Sequence, residues 1–237
     1  MNQEQTILAQ PAPETIQVVQ HQQYQTSDHL TPTNVVPSPL DQFRQWFKEA
    51  VEKRVQEPEA VTLSTATSRG VPSARIVLLK QVDNRGFVFF TNYTSRKSQE
   101  MIENPHAALA FYWREIHRSV RVVGRVEQLS KEENDEYFQS RPVGSRLGAW
   151  ASKQSQTIQE GDLDARLLKV QERFGSQDGA ETHVPTPEFW GGWRVIPEEV
   201  EFWSGKPSRL HDRIRYLRTN SDSVDAAPEW KIERLSP

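Results

Sequence analysis

Cysteine is absent from the 237 residues. That removes disulfides, thiolate nucleophiles, iron–sulfur clusters and cysteine-based zinc sites, and it permits a reducing compartment. No run of about 18 apolar residues occurs, so no segment reads as a membrane span. The N-terminus has no basic stretch followed by an apolar one, and its first 37 residues contain no Lys or Arg. A secretory signal and an Arg-rich transit peptide are both disfavoured by this. A charge excess is missing too. The net charge of -3 speaks against a general nucleic-acid binder. The histidines at 21, 29, 106, 117, 183 and 211 lack the spacing of metal ligands. There is no Gly-rich phosphate loop, and no Ser-His-Asp order can be assigned. The resulting expectation is a cytoplasmic protein with no metal, no membrane segment and no nucleic-acid partner.

Hydrophobic residues make up 35% of the chain and charged residues 26%, a balance that suits a globular protein with one polar segment. That segment is 1–37, rich in Gln and interrupted by Pro11, Pro13, Pro32 and Pro37. It buries too little apolar surface to offset its ordering entropy, so a flexible tail is expected there. Its only charges are Glu4, Glu14 and Asp28, which leaves 38–237, the expected folded unit, with 29 basic and 29 acidic residues.

A helix is predicted from Ser38, which can cap it, with Pro39 in the first turn and Leu40, Phe43, Phe47, Val51 and Val55 at helical spacing. Strands are predicted at 60–67, 74–80 and 87–91, separated by the turn signals Ser68-Arg69-Gly70 and Asp83-Asn84-Arg85-Gly86. The run Ile76–Leu79 is apolar throughout, as in a strand buried on both faces. A short helix follows at 95–103, then strands at 107–113 and 119–129. Ser130 and Glu133 form a capping box for a helix over 130–140. Further helices at 144–151 and 162–174 precede strands at 193–203, 210–217 and 230–235. Clusters of strands with inserted helices suggest an antiparallel barrel decorated by helices.

Several cations stand where water alone is a poor partner. Arg75 and Lys80 bracket the apolar run, with opposite parity that directs them to opposite faces of a regular strand; solvated strand ends are the plain alternative. Arg96 and Lys97 lie at a helix start beside Thr91, where free N–H groups attract an anion. Tyr137 and Arg141 share one helix face, and Ser145 follows the Pro142 break. Together they could hold a phosphate, or form an ordinary surface pair. Arg209, His211 and Arg213 alternate, which on a strand would place them in one row; an exposed edge strand is the competing reading. The aromatics of 189–193 and 201–203 could flank a planar ring or simply be core.

In order along the chain, these stretches resemble the pyridoxamine 5'-phosphate oxidase family. The matching segments are RIVLLK (75–80), FFTNYTSRKSQE (89–100), RPVGSRLGAWASKQS (141–155), FWGGWRVIP (189–197), EFWSGKPSRLHDR (201–213) and WKIERLSP (230–237). The resemblance runs from about residue 39 to the end. It implies a mainly β fold with helices, the FMN-binding split barrel, an antiparallel Greek-key-type barrel that dimerises with two flavin sites at the subunit interface. It also implies oxidation of pyridoxamine 5'-phosphate or pyridoxine 5'-phosphate to pyridoxal 5'-phosphate, with FMN as hydride acceptor and O2 reduced to hydrogen peroxide.

The same resemblance assigns residues. Arg75, Ile76, Val77, Leu78, Leu79 and Lys80 would contact FMN from one subunit, together with Phe90, Thr91, Arg96 and Lys97. Gln154, Ser155, Trp203 and Arg213 would reach it from the other. Lys80, Tyr137, Arg141 and Ser145 would hold the substrate phosphate. Arg209 and His211 would act as the catalytic pair over the pyridine ring, with Leu210 between them and Tyr24 in an N-terminal lid. The chain departs from the family at two places. Ser119 stands where the family commonly has a flavin-contacting Gln, and His21-Gln22-Gln23-Tyr24 stands where the lid often carries an Arg. Competing readings are another split-barrel flavoprotein, such as a flavin reductase or a deazaflavin-dependent enzyme, a protein that stores pyridoxal phosphate, and a basic-strand nucleic-acid module.

Overall fold

The structure, a computed structural model, describes residues 23–24, 26, 29–175, 183–220 and 227–237. Among them, nine strands form one antiparallel sheet. These are β1 (Ala60–Ala66), β2 (Pro72–Leu78), β3 (Gln81–Val82), β4 (Phe87–Asn92), β5 (His106–Trp113), β6 (Arg118–Gln128), β7 (Trp190–Ser204), β8 (Asp212–Arg218) and β9 (Trp230–Arg234). The order is β2-β1-β5-β6-β7-β4-β3, with β8 pairing β7 and carrying β9 on its other edge. β7 causes the branching. It pairs with β6 along its length, with β4 over 190–195 and with β8 over 199–204. A register shift at Val123/Gly124 bends β6 against it. Gly124 is required there, since a Cβ would lie 1.9 Å from the Ile196 carbonyl oxygen. The result is a curled, split-barrel sheet.

Five helices decorate it: α1 (Pro39–Glu52), α2 (Arg96–Glu103), α3 (Lys131–Ser140), α4 (Val143–Ala151) and α5 (Asp162–Phe174). The Ser38 hydroxyl accepts from the Asp41 amide, and both halves of the Ser130–Glu133 capping box form. Helix α1 plugs the curl. Phe43 is 1% exposed and packs edge-on to Phe87 at 4.9 Å, with Phe111 at 5.0 Å and Trp113 at 5.9 Å. Replacing Phe43 with Ala should lower unfolding free energy by about 3–5 kcal/mol through the cavity it leaves. A denaturant titration with an unchanged midpoint would contradict this packing. A second cluster of Phe138, Leu147, Val184 and Trp190 lies under α3 and α4. Among the described residues no helix is long and apolar enough to cross a membrane.

Four expectations change. Ile76 and Leu78 are 64% and 41% exposed, not buried on both faces. β2 is an edge strand that pairs only with β1, so alternate side chains face outward. The parity argument for Arg75 and Lys80 also lapses, because β2 ends at Leu78 before Lys80 is reached. The basic row does not form. Arg209 lies in a 3₁₀ turn over Pro207–Arg209, with φ of 57° at Ser208 and 62° at Arg209, and β8 begins only at Asp212. Pro207 and the two left-handed residues break the alternation. Finally, the stretch expected to be flexible is anchored over its last part. Leu30 is buried in the main core, and the Tyr216 hydroxyl donates to the Val36 carbonyl at 2.6 Å. Residues 1–22, including His21 and Gln22, lie outside the described residues.

Candidate functional site

The edge strand β2, the β4–α2 junction and the α3–α4 hairpin enclose a cleft of about 660 Å³. On its β side are Arg75, Ile76, Val77, Leu78 and Lys80. On the opposite side are Tyr137, Arg141 and Ser145. Phe90, Thr91, Lys97 and Gln154 lie between them. Leu79 points the other way, into the main core. Residues more than sixty positions apart thus face one cleft, because β4 pairs with β7 at the base of α3.

Arg141 and Lys97, both in this cleft, have no acidic partner among the described residues. Arg141, at the C-cap of α3, has its guanidinium 4.8 Å from the Trp190 ring centroid, and its buried Nη1 finds no hydrogen-bond acceptor. Burial lowers its pKa from the usual arginine value. Lys97 donates to the Gln154 Oε1 at 2.7 Å and to the Thr91 hydroxyl at 3.2 Å. Burial, with a smaller effect from Arg75, pushes its ammonium down to about 8. A desolvated cation with neutral partners is costly unless an anion completes the site. Tyr137 is held flat for this purpose. Its ring stacks on Phe90 at 3.8 Å, and Phe90 stacks on Trp190 at 5.3 Å.

Glu100 organises the remaining cations, a role the sequence reading missed although Arg96–Glu100 has the i,i+4 spacing of a helical ion pair. It is buried, accepts from the Thr65 and Ser73 hydroxyls at 2.5 Å each, and takes the Arg96 Nε at 2.8 Å. Arg75 lies 3.5 Å away. Burial alone would raise its pKa, but these donors hold its carboxyl at about 2. Arg75 is further fixed by the Thr65 hydroxyl at 2.6 Å. The resemblance assigned Gln154 and Ser155 to the opposite subunit. Within one chain Gln154 already meets Lys97, and the Ser155 hydroxyl accepts from the Arg96 amide at 3.2 Å.

The other predicted residues gather elsewhere, around a concavity of about 360 Å³ lined by Tyr24, Tyr112, Ser119, Arg121, Glu201, Trp203 and Arg213. Arg213 donates through Nε to Glu201 at 2.7 Å, and Arg121 holds the same carboxylate at 3.0 Å. Trp203 packs at 4.6 Å from His211. The His211 Nδ1 accepts from the Lys206 amide at 3.0 Å, which leaves Nε2 as the donor of a neutral ring. Burial lowers its pKa, and the charges of Arg209 and Arg213 lower it further. Arg209 and Leu210 are exposed beside it. Tyr112, opposite Ser119 in the β5–β6 ladder, was not anticipated; its hydroxyl meets that of Tyr24 at 3.3 Å.

The family described as pyridoxamine 5'-phosphate oxidase matches residues 47–173, and its C-terminal dimerisation region, described for pyridoxine 5'-phosphate oxidase, matches 190–237. The chain belongs to the pyridoxamine 5'-phosphate oxidase family. Relatives named pyridoxine/pyridoxamine 5'-phosphate oxidase include one from Bordetella petrii, 51% identical over 91% of this chain and 97% of its own length. Another, from Burkholderia ambifaria, is 52% identical over 88% of this chain and 93% of its own. Among solved structures, PhzG from Burkholderia lata 383, in complex with tetrahydrophenazine-1-carboxylic acid, superimposes with a TM-score of 0.78 at 32% identity. That match covers 89% of this chain and 98% of the other. A pyridoxamine 5'-phosphate oxidase-related, FMN binding protein from Nostoc punctiforme shares the fold, with a TM-score of 0.65 at 15% identity over 84% and 98% of the two chains. The first concavity lies mostly in 47–173, and the second, apart from Tyr24, is divided between the two matched segments.

Proposed function

We propose that this protein oxidises pyridoxamine 5'-phosphate and pyridoxine 5'-phosphate to pyridoxal 5'-phosphate, using FMN in a homodimer. The observation that carries the reading is Arg141, half-buried beside Tyr137 and Ser145 on one side of an open cleft, with a buried Nη1 that finds no acceptor among the described residues. A bound FMN would supply the hydride-acceptor chemistry for the substrate C4' carbon, with O2 as the final electron acceptor and hydrogen peroxide as the product. The donor set suits a phosphorylated flavin. Arg75, Arg96 and Lys97 surround the α2 N-terminus, where a phosphate gains charge-assisted hydrogen bonds, and the exposed faces of Ile76 and Leu78 offer apolar backing for a ring.

Lys80, Tyr137, Arg141 and Ser145 hold the substrate phosphate and so fix where C4' lies, a proximity effect. Arg209 and His211 of the partner chain cover the pyridine ring from the opposite side, His211 as a neutral donor through Nε2. Trp203 and Arg213 of that chain, with Ser119 and Tyr24, complete the flavin's surroundings. Residues 38–237 act as one oxidase unit, in the cytoplasm.

Lys97 supplies a pH test. Phosphate binding favours the charged ammonium, so FMN affinity is full below its pKa of about 8 and falls as pH rises through it. The dissociation constant, read from flavin fluorescence quenching, should climb by up to about tenfold per pH unit above that point and flatten in Lys97→Met. A constant that stays flat through this range in the unsubstituted protein contradicts the role. The function itself is tested by an aerobic assay of purified protein with pyridoxamine 5'-phosphate and FMN. Equal amounts of pyridoxal 5'-phosphate and peroxide support it; a colourless protein that forms neither product overturns it.

A further inference from the structure

Asp212 opens β8 between His211 and Arg213 and is 1% exposed. Groups from three parts of the chain converge on it. His29 Nδ1 and the Leu30 amide reach Oδ2 at 2.9 and 3.1 Å, Lys206 Nζ lies 3.7 Å from the same oxygen, and Arg234 Nη2 donates to Oδ1 at 2.8 Å. Burial alone would push this carboxyl up; the His29 and Leu30 hydrogen bonds hold it below the usual range. A buried carboxylate without such partners would be expensive, so its charge recruits them.

Those partners are the N-terminal strap, described at 23–24, 26 and 29–37, the 205–211 turn and β9. The strap continues across the turn. Thr26 donates its hydroxyl to the Gly205 carbonyl at 2.6 Å, and Lys206 Nζ donates to the Thr26 carbonyl at 3.3 Å. Tyr24 then packs edge-on to Trp203 at 5.1 Å and to His211 at 5.5 Å. Gly205 makes this approach possible, since a Cβ there would lie 2.6 Å from the Tyr24 ring. The turn needs outside support because Ser208 and Arg209 both take left-handed backbone conformations.

We propose that Asp212 is a positioning residue that locks the strap onto the turn carrying Arg209 and His211, so that seating of Tyr24 and placement of the ring-facing groups are one event. This rests on the oxidase reading of that turn. Asp212 is buried and lines neither the cleft nor the second concavity; it acts through Lys206, whose amide orients His211, and through His29 and Leu30, which hold the strap.

The test compares the FMN-loaded full chain with Asp212→Asn and His29→Ala. The His29 side chain is 74% exposed, so its loss perturbs the strap and not the core. Three quantities are read: kinetics with pyridoxamine 5'-phosphate, flavin content, and the rate of chymotrypsin cleavage after Tyr24 by mass spectrometry. Asp212→Asn should keep its flavin, lose about tenfold in kcat/KM, mostly in kcat, and be cut after Tyr24 about tenfold faster. His29→Ala should move both readouts in the same direction by less. Wild-type cleavage and kinetics in both variants overturn the inference. So does an activity loss in Asp212→Asn that tracks flavin loss while His29→Ala behaves as wild type. If the unsubstituted protein itself turns over no substrate, the oxidase reading has failed, and the cleavage rates alone still decide whether Asp212 holds the strap.

Discussion

Arg141→Ala raises KM for pyridoxamine 5'-phosphate about 100-fold and leaves kcat within about twofold, because a phosphate anchor binds ground state and transition state alike. The size follows from the site. The half-buried guanidinium, whose Nη1 has no acceptor among the described residues, exchanges that deficit for charge-assisted bonds worth about 3 kcal/mol together. The aromatic stack of Phe90, Tyr137 and Trp190 keeps its shape without Arg141, since those rings contact one another directly. Steady-state kinetics at saturating FMN checks the split. A KM unchanged from wild type would mean the phosphate is held elsewhere.

Arg209→Ala should have the opposite signature, a loss of about 100- to 1000-fold in kcat/KM with flavin retained, because a preorganised charge over the reacting ring acts chiefly in the transition state. The strained turn places this cation beside His211, whose pKa is lowered first by burial and then by the charges of Arg209 and Arg213. Arg209 is exposed and not part of the cleft that holds Arg75 and Lys97. Its removal leaves those contacts intact. Absorbance of the purified variant measures bound flavin; a colourless Arg209→Ala protein would move this residue from the substrate to the flavin.

Local signals in the sequence survived best. Ser38 and Ser130 cap where their spacing says, because capping depends on three consecutive residues and the backbone between them. Helices and strands followed their hydrophobic periods to within a few residues. The exposed faces of Ile76 and Leu78 were not legible, since an edge strand and a central one carry the same apolar run and differ only in what lies beside them. The alternation of Arg209, His211 and Arg213 misled for a related reason: period two is a strand signal only where the backbone is extended, and Pro207 with two left-handed residues folds it instead. Glu100 escaped notice because its partners Thr65 and Ser73 come from β1 and β2, brought to α2 by pairings no local window contains. The assignment of residues to the site came through family resemblance. The spacing alone left Tyr137 and Arg141 open between a phosphate site and a plain surface pair.

The central claim is that each site combines the Arg141 cleft of one protomer with the Arg209 turn of its partner. Mixed dimers of Arg141→Ala and Arg209→Ala chains test it most directly, assembled by co-expression and separated by two affinity tags. A two-fold dimer built this way has one site carrying both substitutions and one carrying neither, so the isolated heterodimer should regain about half of wild-type kcat/KM although each parent retains about a hundredth of it or less. A heterodimer no more active than its parents would place both residues of a site on one chain and contradict the account.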